Sequence, residues 1–400
     1  MNKENEVVIV GAVRTAIGKF GGTLKNVKAS VLASHVIREV LRRTGDLDPS
    51  LLDEVILGDC IQCPDEANTA RTAALIAGLP FQVPAFTVQR NCSSSMQALV
   101  SGVQQIRSGD ADVVLVGGVE SMSCGPYYLP SARWGMRLMN QEVVDGVWEV
   151  LHCGSRIIGE PMVMGVTAEN LAAKYSISRE DQDQVALESH NKAEAAITAG
   201  RFKDEIVPID VSQKGKQAKA FAQDEHPRFG LTMEDLSKLK PAFKPDGTVT
   251  AGNSSGLNDG AAAVVIMTRK KAFELGLSPM AKVVSFAAAG VEPHLMGYGP
   301  VPATRKALSK AGMTRGDIQL IELNEAFASQ YLACERSLDL DRSITNVNGS
   351  GIGLGHPVGC TGLRIIVSLI FEMQRRNLET GMASLCVGGG MGMTTILVRD

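Results

Sequence analysis

The feature that most constrains the fold is a regular alternation of short apolar runs with amphipathic stretches. Val7–Val10 has the composition of a buried strand, and residues 30–43 carry apolar side chains at helical spacing. Further strand-like runs lie at Glu54–Leu57 and Val113–Val116, and a helical stretch precedes the second of them. Strands that alternate with helices imply a mainly parallel sheet with helices on its faces. The sequence therefore predicts an α/β fold.

The later part of the chain repeats this order of elements. Strand patterns at Ala281–Phe286, Leu320–Leu323 and Ile344–Val347 are separated by helical stretches. The ending Leu-Val-Gly-Gly at 115–118 has a counterpart in Cys-Val-Gly-Gly at 386–389. We therefore predict two related halves, each with a strand that ends in a glycine pair.

A stretch of different composition separates the two halves. It lacks runs of β-branched residues and contains one long helix, which we predict to begin with a capping box at Ser178 and to stop near Gly200. The predicted domains are a first half made of 1–120 and 248–273, an inserted loop domain of 121–247, and a second half of 274–400.

Composition and charge exclude several classes of protein. With 40 basic and 43 acidic residues the net charge is −3, which excludes a generally basic nucleic-acid-binding protein. The longest apolar run, Ala261–Met267, is far shorter than the ~20 residues that a membrane helix needs. The 8 cysteines are scattered and no signal peptide is recognisable, so we expect reduced thiols in a cytoplasmic protein.

Cys92 is the first candidate for chemistry. It lies where a predicted strand ends and a helix begins, in the sequence Arg-Asn-Cys-Ser-Ser-Ser at 90–95. The unpaired N–H groups and partial positive charge of a helix N-terminus favour a thiolate, which is the nucleophilic form of cysteine. A buried cysteine beside a serine-rich helix start fits the same pattern.

His356 is the second candidate. It precedes a proline and follows a segment in which glycine recurs at every second position, 349–355. The spacing does not fit the dinucleotide-binding pattern G-x-G-x-x-G, since position 354 is leucine. What remains is a backbone that allows a close approach to His356, or a plain histidine in a turn.

Two further strand ends carry polar or reactive residues. Cys386 ends an apolar strand before three glycines, whose N–H groups could bind an oxyanion. Asn324 and Glu325 follow the strand Leu320–Leu323, the usual place for site residues in a parallel sheet. A buried strand cysteine and a helix cap are the structural alternatives.

Other suggestive residues carry less weight. Cys60 and Cys63 have the C-x-x-C spacing, but no second pair of ligands follows at the spacing of a zinc site. Trp134 and Met136 fit the wall of a pocket or the core equally well.

Taken together, these segments resemble the thiolase family over essentially the whole chain. The matching phrases are 91–95, 324–327, 355–357, 386–390, 252–260, 240–243 and the helix after Ser178. The closest likeness is to the short-chain thiolases. The resemblance implies two βαβαβαββ halves in a five-layer arrangement, with a loop domain inserted in the first half.

The resemblance also implies a reaction. It is a reversible Claisen condensation of two acetyl-CoA to acetoacetyl-CoA and CoA, or thiolysis of a 3-ketoacyl-CoA, through an acyl-cysteine intermediate. Cys92 is the implied nucleophile, His356 takes its proton, and Cys386 is the second acid and base. Asn324 would hold a water that faces one thioester oxyanion together with His356. The N–H groups of Cys92 and Gly388 would face the other.

The same resemblance suggests how the substrate is bound. Arg228 matches a family position at the nucleotide end of CoA, and Ser255 matches one near the pantetheine. Met164 and Phe327 are also expected to contact the substrate. We expect no metal and no cofactor beyond the CoA thioesters, no nucleic-acid or membrane partner, and a homo-oligomer, either a dimer or a dimer of dimers.

The sequence departs from the short-chain pattern near the expected pocket. Ser93 and Ser95 stand where glycine is common, Val163 replaces a histidine, and Ser350-Gly351 replaces Gly-Ala. These changes leave the preferred acyl-chain length open. The direction of the reaction in the cell, the oligomer size and any role of Cys60 and Cys63 are open as well.

Three rival interpretations are disfavoured. A ketoacyl synthase of the same fold has a histidine in place of Asn324 and lacks a cysteine at position 386. A nucleotide-binding oxidoreductase needs glycine spacing that is absent here. A non-catalytic lipid-binding relative is expected to lack one of Cys92, His356 and Cys386.

Overall fold

The computed structural model describes residues 3–211 and 219–399. The first half builds strands and helices in alternation, as the apolar pattern predicts. Its strands are β1 (Val7–Thr15), β2 (Gly18–Lys19), β3 (Glu54–Gly58), β4 (Ala85–Val88) and β5 (Val113–Ser121). Its helices are α1 (Ala29–Arg43), α2 (Thr69–Ala77) and α3 (Ser94–Ser108).

The insertion that follows β5 contains four α-helices and several short strands among its described residues, joined by long irregular stretches. Its strands are β6 (Tyr127–Tyr128), β7 (Val144–Asp145), β8 (Ile206–Val207), β9 (Ile209–Val211) and β10 (Lys219–Phe221). Its helices are α4 (Gly146–Val150), α5 (Met164–Lys174), α6 (Arg179–Thr198) and α7 (Met233–Ser237). The predicted long helix is α6, where the Ser178 side chain accepts a hydrogen bond from the Asp181 N–H and Gly200 is left-handed at φ 68°. Helix α5 had no counterpart in the sequence prediction.

The chain then returns to the sheet, where the strand and helix within 258–274 complete the first half and the elements that follow build the second half. The strands are β11 (Asn258–Thr268), β12 (Ala281–Gly290), β13 (Leu320–Leu323), β14 (Thr380–Val387) and β15 (Met391–Val398). The helices are α8 (Arg269–Glu274), α9 (Pro300–Ala311), α10 (Ala328–Leu338), α11 (Gly351–Leu354) and α12 (Val358–Arg376). Short 3₁₀ turns lie at Lys3–Asn5, Pro49–Leu51, Met122–Cys124, Ala132–Trp134, Pro293–Tyr298 and Arg315–Asp317.

The sheet topology shows that the two halves are related. The strand order is β13-β14-β15-β12-β1-β11-β5-β3-β4, and the halves meet where β1 pairs with β12. Each half contains a parallel pair, β3 with β5 in the first and β13 with β14 in the second. From that pair toward the centre of the sheet, two antiparallel pairings follow in each half. The predicted repeat is therefore confirmed at the level of strand order and direction.

The predicted strand Ile344–Val347 is wrong in detail. Only Thr345 pairs there, in a single parallel bridge with Ile321. Asn346 has a left-handed φ of 48°. Its side-chain amide makes the hydrogen bonds that a neighbouring strand would make, because it accepts from the Leu323 N–H at 2.9 Å and donates to the Leu323 carbonyl at 2.8 Å. A side chain thus replaces the backbone pairing that β4 supplies in the first half.

The two glycine pairs also behave differently. In β5 the strand continues through Gly117 and Gly118, which pair with Ala263 and Ala262 of β11, so the prediction that a strand ends there is wrong. In β14 the strand does end at Val387, and a turn at 388–390 leads directly into β15. The difference follows from the insertion, which lies between β5 and β11.

Five layers result from the packing of helices on the two parts of the sheet. Helices α1 and α2 cover the first half on the outside, and their core includes Leu32 and Ala73. Helices α3 and α12 lie between the two halves, where Leu99 and Ile366 belong to one buried cluster. Helices α9 and α10 cover the second half on the outside. Among the described residues, no helix is long and apolar enough to span a membrane.

Candidate active site

A cavity of about 470 Å³ brings together most of the residues that the sequence singled out. Seven of the nine predicted site residues line it: Cys92, Met164, Arg228, Ser255, Phe327, His356 and Cys386. Asn324 and Gly388 lie behind the lining. The cavity lies at the carboxyl ends of β4, β13 and β14, which parallel topology brings to one edge of each half.

Cys92 lies in the turn between β4 and α3. Asn91 is left-handed at φ 43°, and the N–H of Ser94 closes the turn on the Asn91 carbonyl. The Cys92 sulfur accepts backbone hydrogen bonds from Gly388 and from its own N–H. The Asn91 side chain in turn donates to the Gly388 carbonyl at 2.8 Å. The nucleophile turn of one half is therefore docked on the glycine turn of the other.

Burial of Cys92 and His356 acts against the thiolate that the sequence analysis expected. Burial raises the pKa of Cys92, although the hydrogen bonds from Gly388 and Cys92 N–H oppose the shift. Burial, together with the nearby positive charge of Arg364, lowers the pKa of His356 to about 3. At neutral pH these two shifts favour a neutral thiol and a neutral imidazole, whereas the position of Cys92 at a helix N-terminus favours a thiolate.

The tautomer of His356 follows from its neighbours. Its Nδ1 lies 2.6 Å from the Thr361 Oγ1, and that hydroxyl donates its single proton to the Pro357 carbonyl at 2.8 Å. The hydroxyl must therefore accept from Nδ1–H, which leaves the lone pair of the neutral ring on Nε2. This arrangement prepares Nε2 to act as a base.

Cys386 is buried at the end of β14. Burial raises its pKa well above the usual value, and the neighbouring Cys92 adds to the shift. The thiol is thus held in its protonated form. A thiol that is reluctant to ionise can donate a proton and becomes a strong base once it has lost it.

Asn324 follows β13 directly and is fully buried. Its backbone N–H donates to the Ser384 carbonyl at 2.9 Å, which fixes it beside β14. Neither its Oδ1 nor its Nδ2 has a partner among the residues that the structure describes. A buried amide without partners costs free energy, and such a group is most often kept for a functional contact.

The residues expected to bind substrate lie in different parts of the cavity. Met164 approaches the Cys153 sulfur at 3.7 Å, and Phe327 packs edge-to-face on Phe243 at 6.2 Å, so these side chains form an apolar wall. The Ser255 N–H donates to the Ala326 carbonyl at 2.9 Å. Arg228 is exposed, and its guanidinium offers a positive charge at the edge of the cavity.

The structure adds polar residues that the sequence analysis missed. Thr361 fixes the ring of His356, and Asn258 accepts a hydrogen bond from the His356 N–H at 2.8 Å. Glu120 is buried between the halves and accepts from the Gly359 N–H at 2.7 Å and the Ile61 N–H at 3.1 Å. The only signal in the sequence was that Asn258 lies in the matched segment 252–260 and Thr361 lies close to His356.

The two cysteines of the C-x-x-C pair face different partners and do not form a common site. The Cys60 sulfur faces the Asn91 side chain at 3.9 Å, whereas the Cys63 sulfur faces the Cys124 carbonyl at 3.5 Å. Within the ranges 3–211 and 219–399, no group of three His, Cys, Asp or Glu side chains could hold a metal ion.

Comparison with known proteins agrees with this geometry. Residues 7–270 match the family described as "Thiolase, N-terminal domain", and residues 277–399 match "Thiolase, C-terminal domain". An acetyl-CoA acetyltransferase of Pseudomonas aeruginosa is 50% identical over 99% of this chain and 100% of its own length.

Solved structures give the same result. The crystal structure of the Bacillus anthracis acetyl-CoA acetyltransferase has a TM-score of 0.96 at 55% identity, with 100% of both chains covered. Human mitochondrial 3-ketoacyl-CoA thiolase has a TM-score of 0.95 at 43% identity, with 99% of this chain and 100% of that one covered. The two halves, the cavity between them and these similarities together show that the chain belongs to the thiolase family.

Proposed function

We propose that this protein is an acetyl-CoA C-acetyltransferase that condenses two acetyl-CoA to acetoacetyl-CoA and CoA, and that also runs the reverse thiolysis of 3-ketoacyl-CoA. The observation that carries the proposal is one cavity that holds Cys92, His356 and Cys386, with the Gly388 N–H on the Cys92 sulfur. Similar chains named acetyl-CoA acetyltransferase support the choice of acetyl transfer.

In the first half-reaction the Cys92 sulfur attacks the thioester carbonyl of acetyl-CoA. Cys92 is a thiol before the reaction, so Nε2 of His356 takes its proton as the sulfur–carbon bond forms. The carbonyl oxygen becomes an oxyanion, and the N–H groups of Cys92 and Gly388 are placed to donate to it. Cys386 gives its proton to the departing CoA sulfur, which leaves acetyl-Cys92 and a Cys386 thiolate.

In the second half-reaction the Cys386 thiolate removes a proton from the methyl group of a second acetyl-CoA. Asn324 and His356 stabilise the resulting enolate oxygen, Asn324 through a water held by its amide. The enolate carbon attacks the acetyl carbon on Cys92, the carbon–sulfur bond breaks, and the Cys92 sulfur recovers its proton from His356. All protons and electron pairs are thereby restored, and no redox step is needed.

CoA is expected to bind through a positive charge at the edge of the cavity and through residues that line its wall. The exposed Arg228 fits the phosphates of the nucleotide end, and Ser255, Met164 and Phe327 lie where the pantetheine and the acyl group pass toward Cys92. A solved complex of human mitochondrial 3-ketoacyl-CoA thiolase with CoA supports this ligand class.

The assembly and the compartment belong to the same proposal. We expect a homo-oligomer, a dimer or a dimer of dimers, because the insertion exposes large apolar side chains that include Trp134, Leu138 and Ile157. We also expect the cytoplasm, since all 8 cysteines lie in the described part of the chain and are free.

Acetylation of Cys92 tests the proposal. Incubation with acetyl-CoA is expected to release CoA and to add one acetyl group to the Cys92 peptide, detected by mass spectrometry. Cys92→Ser is the matched variant, and it should release no CoA in a burst. Stable acetylation of another residue, with Cys92 unmodified, would refute the proposed mechanism.

A further inference from the structure

The backbone of His356 is held by a single side chain from the other half of the molecule. Asn258 begins β11 and is fully buried. Its Oδ1 accepts the His356 N–H at 2.8 Å, and its Nδ2 donates to the Gly18 carbonyl at 3.0 Å. Because an N–H can only donate and a carbonyl can only accept, these two partners fix which way the amide points.

The same amide also reaches a second histidine of the cavity. Asn258 Nδ2 lies 3.3 Å from Nδ1 of His226, and Nε2 of His226 lies 3.0 Å from the Ile352 carbonyl. The carbonyl requires a proton on Nε2, so Nδ1 is the acceptor for the Asn258 amide. Both His226 and His356 line the cavity, and Asn258 therefore fixes the relative position of the two rings.

The fit around Asn258 leaves little freedom. Gly355, which precedes His356, is left-handed at φ 102°, and a Cβ at that position would lie 2.7 Å from the Asn258 Cγ. Leu257 and His356 also form a parallel bridge between their backbones. The chain segment that carries His356 is thus seated directly on the Asn258 side chain.

We propose that Asn258 is a positioning residue for acyl transfer, holding His356 at the distance from Cys92 that proton removal requires and setting His226 at the side of the incoming CoA thioester. The inference rests on the proposed function. Through its one side-chain amide, Asn258 links the position of His356, the proposed base, to the position of His226 in the cavity wall. A misplacement of about 1 Å at a reacting group costs up to ~100-fold in rate.

Three variants test this role. Asn258→Ala removes both contacts. Asn258→Asp keeps an acceptor for the His356 N–H and loses the donor toward Gly18 and His226. Asn253→Ala is the matched control, since Asn253 is another fully buried amide of the same segment, and its side chain contacts Thr250, Asp183 and Thr248, outside the cavity chemistry.

The measurement is the single-turnover rate of Cys92 acetylation by acetyl-CoA, per folded molecule, together with kcat and KM. We expect Asn258→Ala to lower the acetylation rate about 10- to 100-fold and, because it also loses the donor toward His226, to raise KM as Asn258→Asp does. Asn258→Asp should recover most of that rate and raise KM. Asn253→Ala should lower the melting temperature while the rate per folded molecule stays near that of the parent protein.

The outcomes separate this proposal from the proposed function. If the parent protein acetylates Cys92 and Asn258→Ala does so equally fast, Asn258 has only a structural role and the inference is overturned. Equal rate losses in the two alanine variants would also overturn it. If the parent protein itself fails to acetylate Cys92, the proposed function fails first. Should Asn258→Asp not fold, the comparison of the two alanine variants decides alone.

Discussion

At the residue scale, Cys92 and Cys386 are two thiols in one cavity with different surroundings. Both line the cavity together with His356, but the Gly388 N–H interacts with the Cys92 sulfur, whereas Cys386 ends a strand inside an apolar cluster with Ala168, Met296 and Phe327. Burial raises the pKa of both thiols. In the proposed mechanism their division of labour therefore comes from the transfer of the Cys92 proton to His356 and from N–H donors, and less from a difference in resting charge.

Substitution of Cys386 should separate the two half-reactions. In Cys386→Ser we expect Cys92 still to accept an acetyl group from acetyl-CoA, because CoA is a thiol and leaves readily as its anion. Condensation and thiolysis should fall about 10²- to 10⁴-fold, because a serine hydroxyl is too weak an acid to replace the thiol in proton transfer. Labelled acetyl-CoA measures the first step and steady-state turnover measures both. Equal losses in labelling and turnover would contradict this division.

The neutral state of the Cys92–His356 pair predicts a pH dependence. Burial disfavours the thiolate and raises the pKa of Cys92 above its ordinary value, so the thiol form predominates at pH 7. Carbamidomethylation of the Cys92 peptide by iodoacetamide should therefore accelerate steadily as the pH rises from 6 to beyond 9. Glutathione in the same buffers is the reference thiol. A rate that is constant from about pH 5 to 8 would instead reveal a thiolate–imidazolium pair.

The reactive residues of the site could be predicted from the sequence, whereas the residues that hold them by hydrogen bonds could not. Cys92 and Cys386 were recognisable because each stands at a strand end, and His356 because it stands between glycine and proline. Asn258 and Thr361 had no such signal, since a hydrogen bond to a residue up to 98 positions away leaves no trace in local composition. The opposing effect of burial on the pKa of Cys92 could not be predicted, because a helix terminus is visible in a sequence while the extent of burial is not.

At the element scale, the central helices α3 and α12 connect the two halves and both begin at the site. Helix α3 starts two residues after Cys92, and α12 starts two residues after His356. Ser95 of α3 links them, because its Oγ donates to the Cys360 carbonyl at 2.9 Å and accepts from the Leu363 N–H at 2.9 Å. The separation of these helices therefore bears directly on the distance between nucleophile and base.

A single methyl group should disturb this helix pair. A Cβ at Gly362 would lie 2.8 Å from both the backbone nitrogen and the Cβ of Met96, closer than atoms can pack. We expect Gly362→Ala to destabilise the protein by about 1–3 kcal/mol and to lower kcat at least tenfold. Thermal melting and steady-state kinetics measure the two effects.

The matched control for this substitution is Gly316→Ala. A Cβ at Gly316 would meet only the Thr314 hydroxyl at 3.7 Å, an ordinary contact, and the turn is on the surface. Its melting temperature and kcat should stay close to those of the parent protein. A Gly362→Ala variant with the same behaviour would show that the two helices can separate without effect on the site.

Among elements, the sequence predicted those that carry a hydrophobic period and failed where side chains replace the backbone. The strands β1, β3 and β13 and the helix α1 were predicted from their apolar periods, whereas α6 was predicted from its start at Ser178 and its stop near Gly200. The strand expected at 344–347 fails because Asn346 pairs with Leu323 through its amide. Helix α5 was not predicted because its first residues, such as Met164, line the cavity and do not follow the apolar pattern of a helix packed on a core.

At the scale of the whole molecule, a buried ion cluster ties the three parts of the chain together. Arg14 of β1 is fully buried, and its guanidinium donates to Glu205 at 2.5 Å and to both oxygens of Asp224 at 2.7 and 2.9 Å. Glu205 and Asp224 belong to the insertion, and Glu205 also accepts from Ser368 of α12 at 3.0 Å. First half, insertion and second half thus meet at one arginine.

Removal of the Arg14 charge should therefore destabilise the whole chain and not one part of it. In Arg14→Leu two buried carboxylates lose their counter-charge, and breaking such a buried pair typically costs about 3–5 kcal/mol. We expect a lower melting temperature with a single cooperative transition, because all three parts share the cluster. The loss should shrink as the pH falls, since burial raises the pKa of the Glu205 carboxyl, which takes up a proton and becomes neutral once its counter-charge is gone. Lys238→Ala, which removes an exposed partner of Glu234, is the control and should change stability by no more than about 0.5 kcal/mol. Urea denaturation at several pH values measures both variants, and an Arg14→Leu protein as stable as the control would show that the cluster does not hold the three parts together.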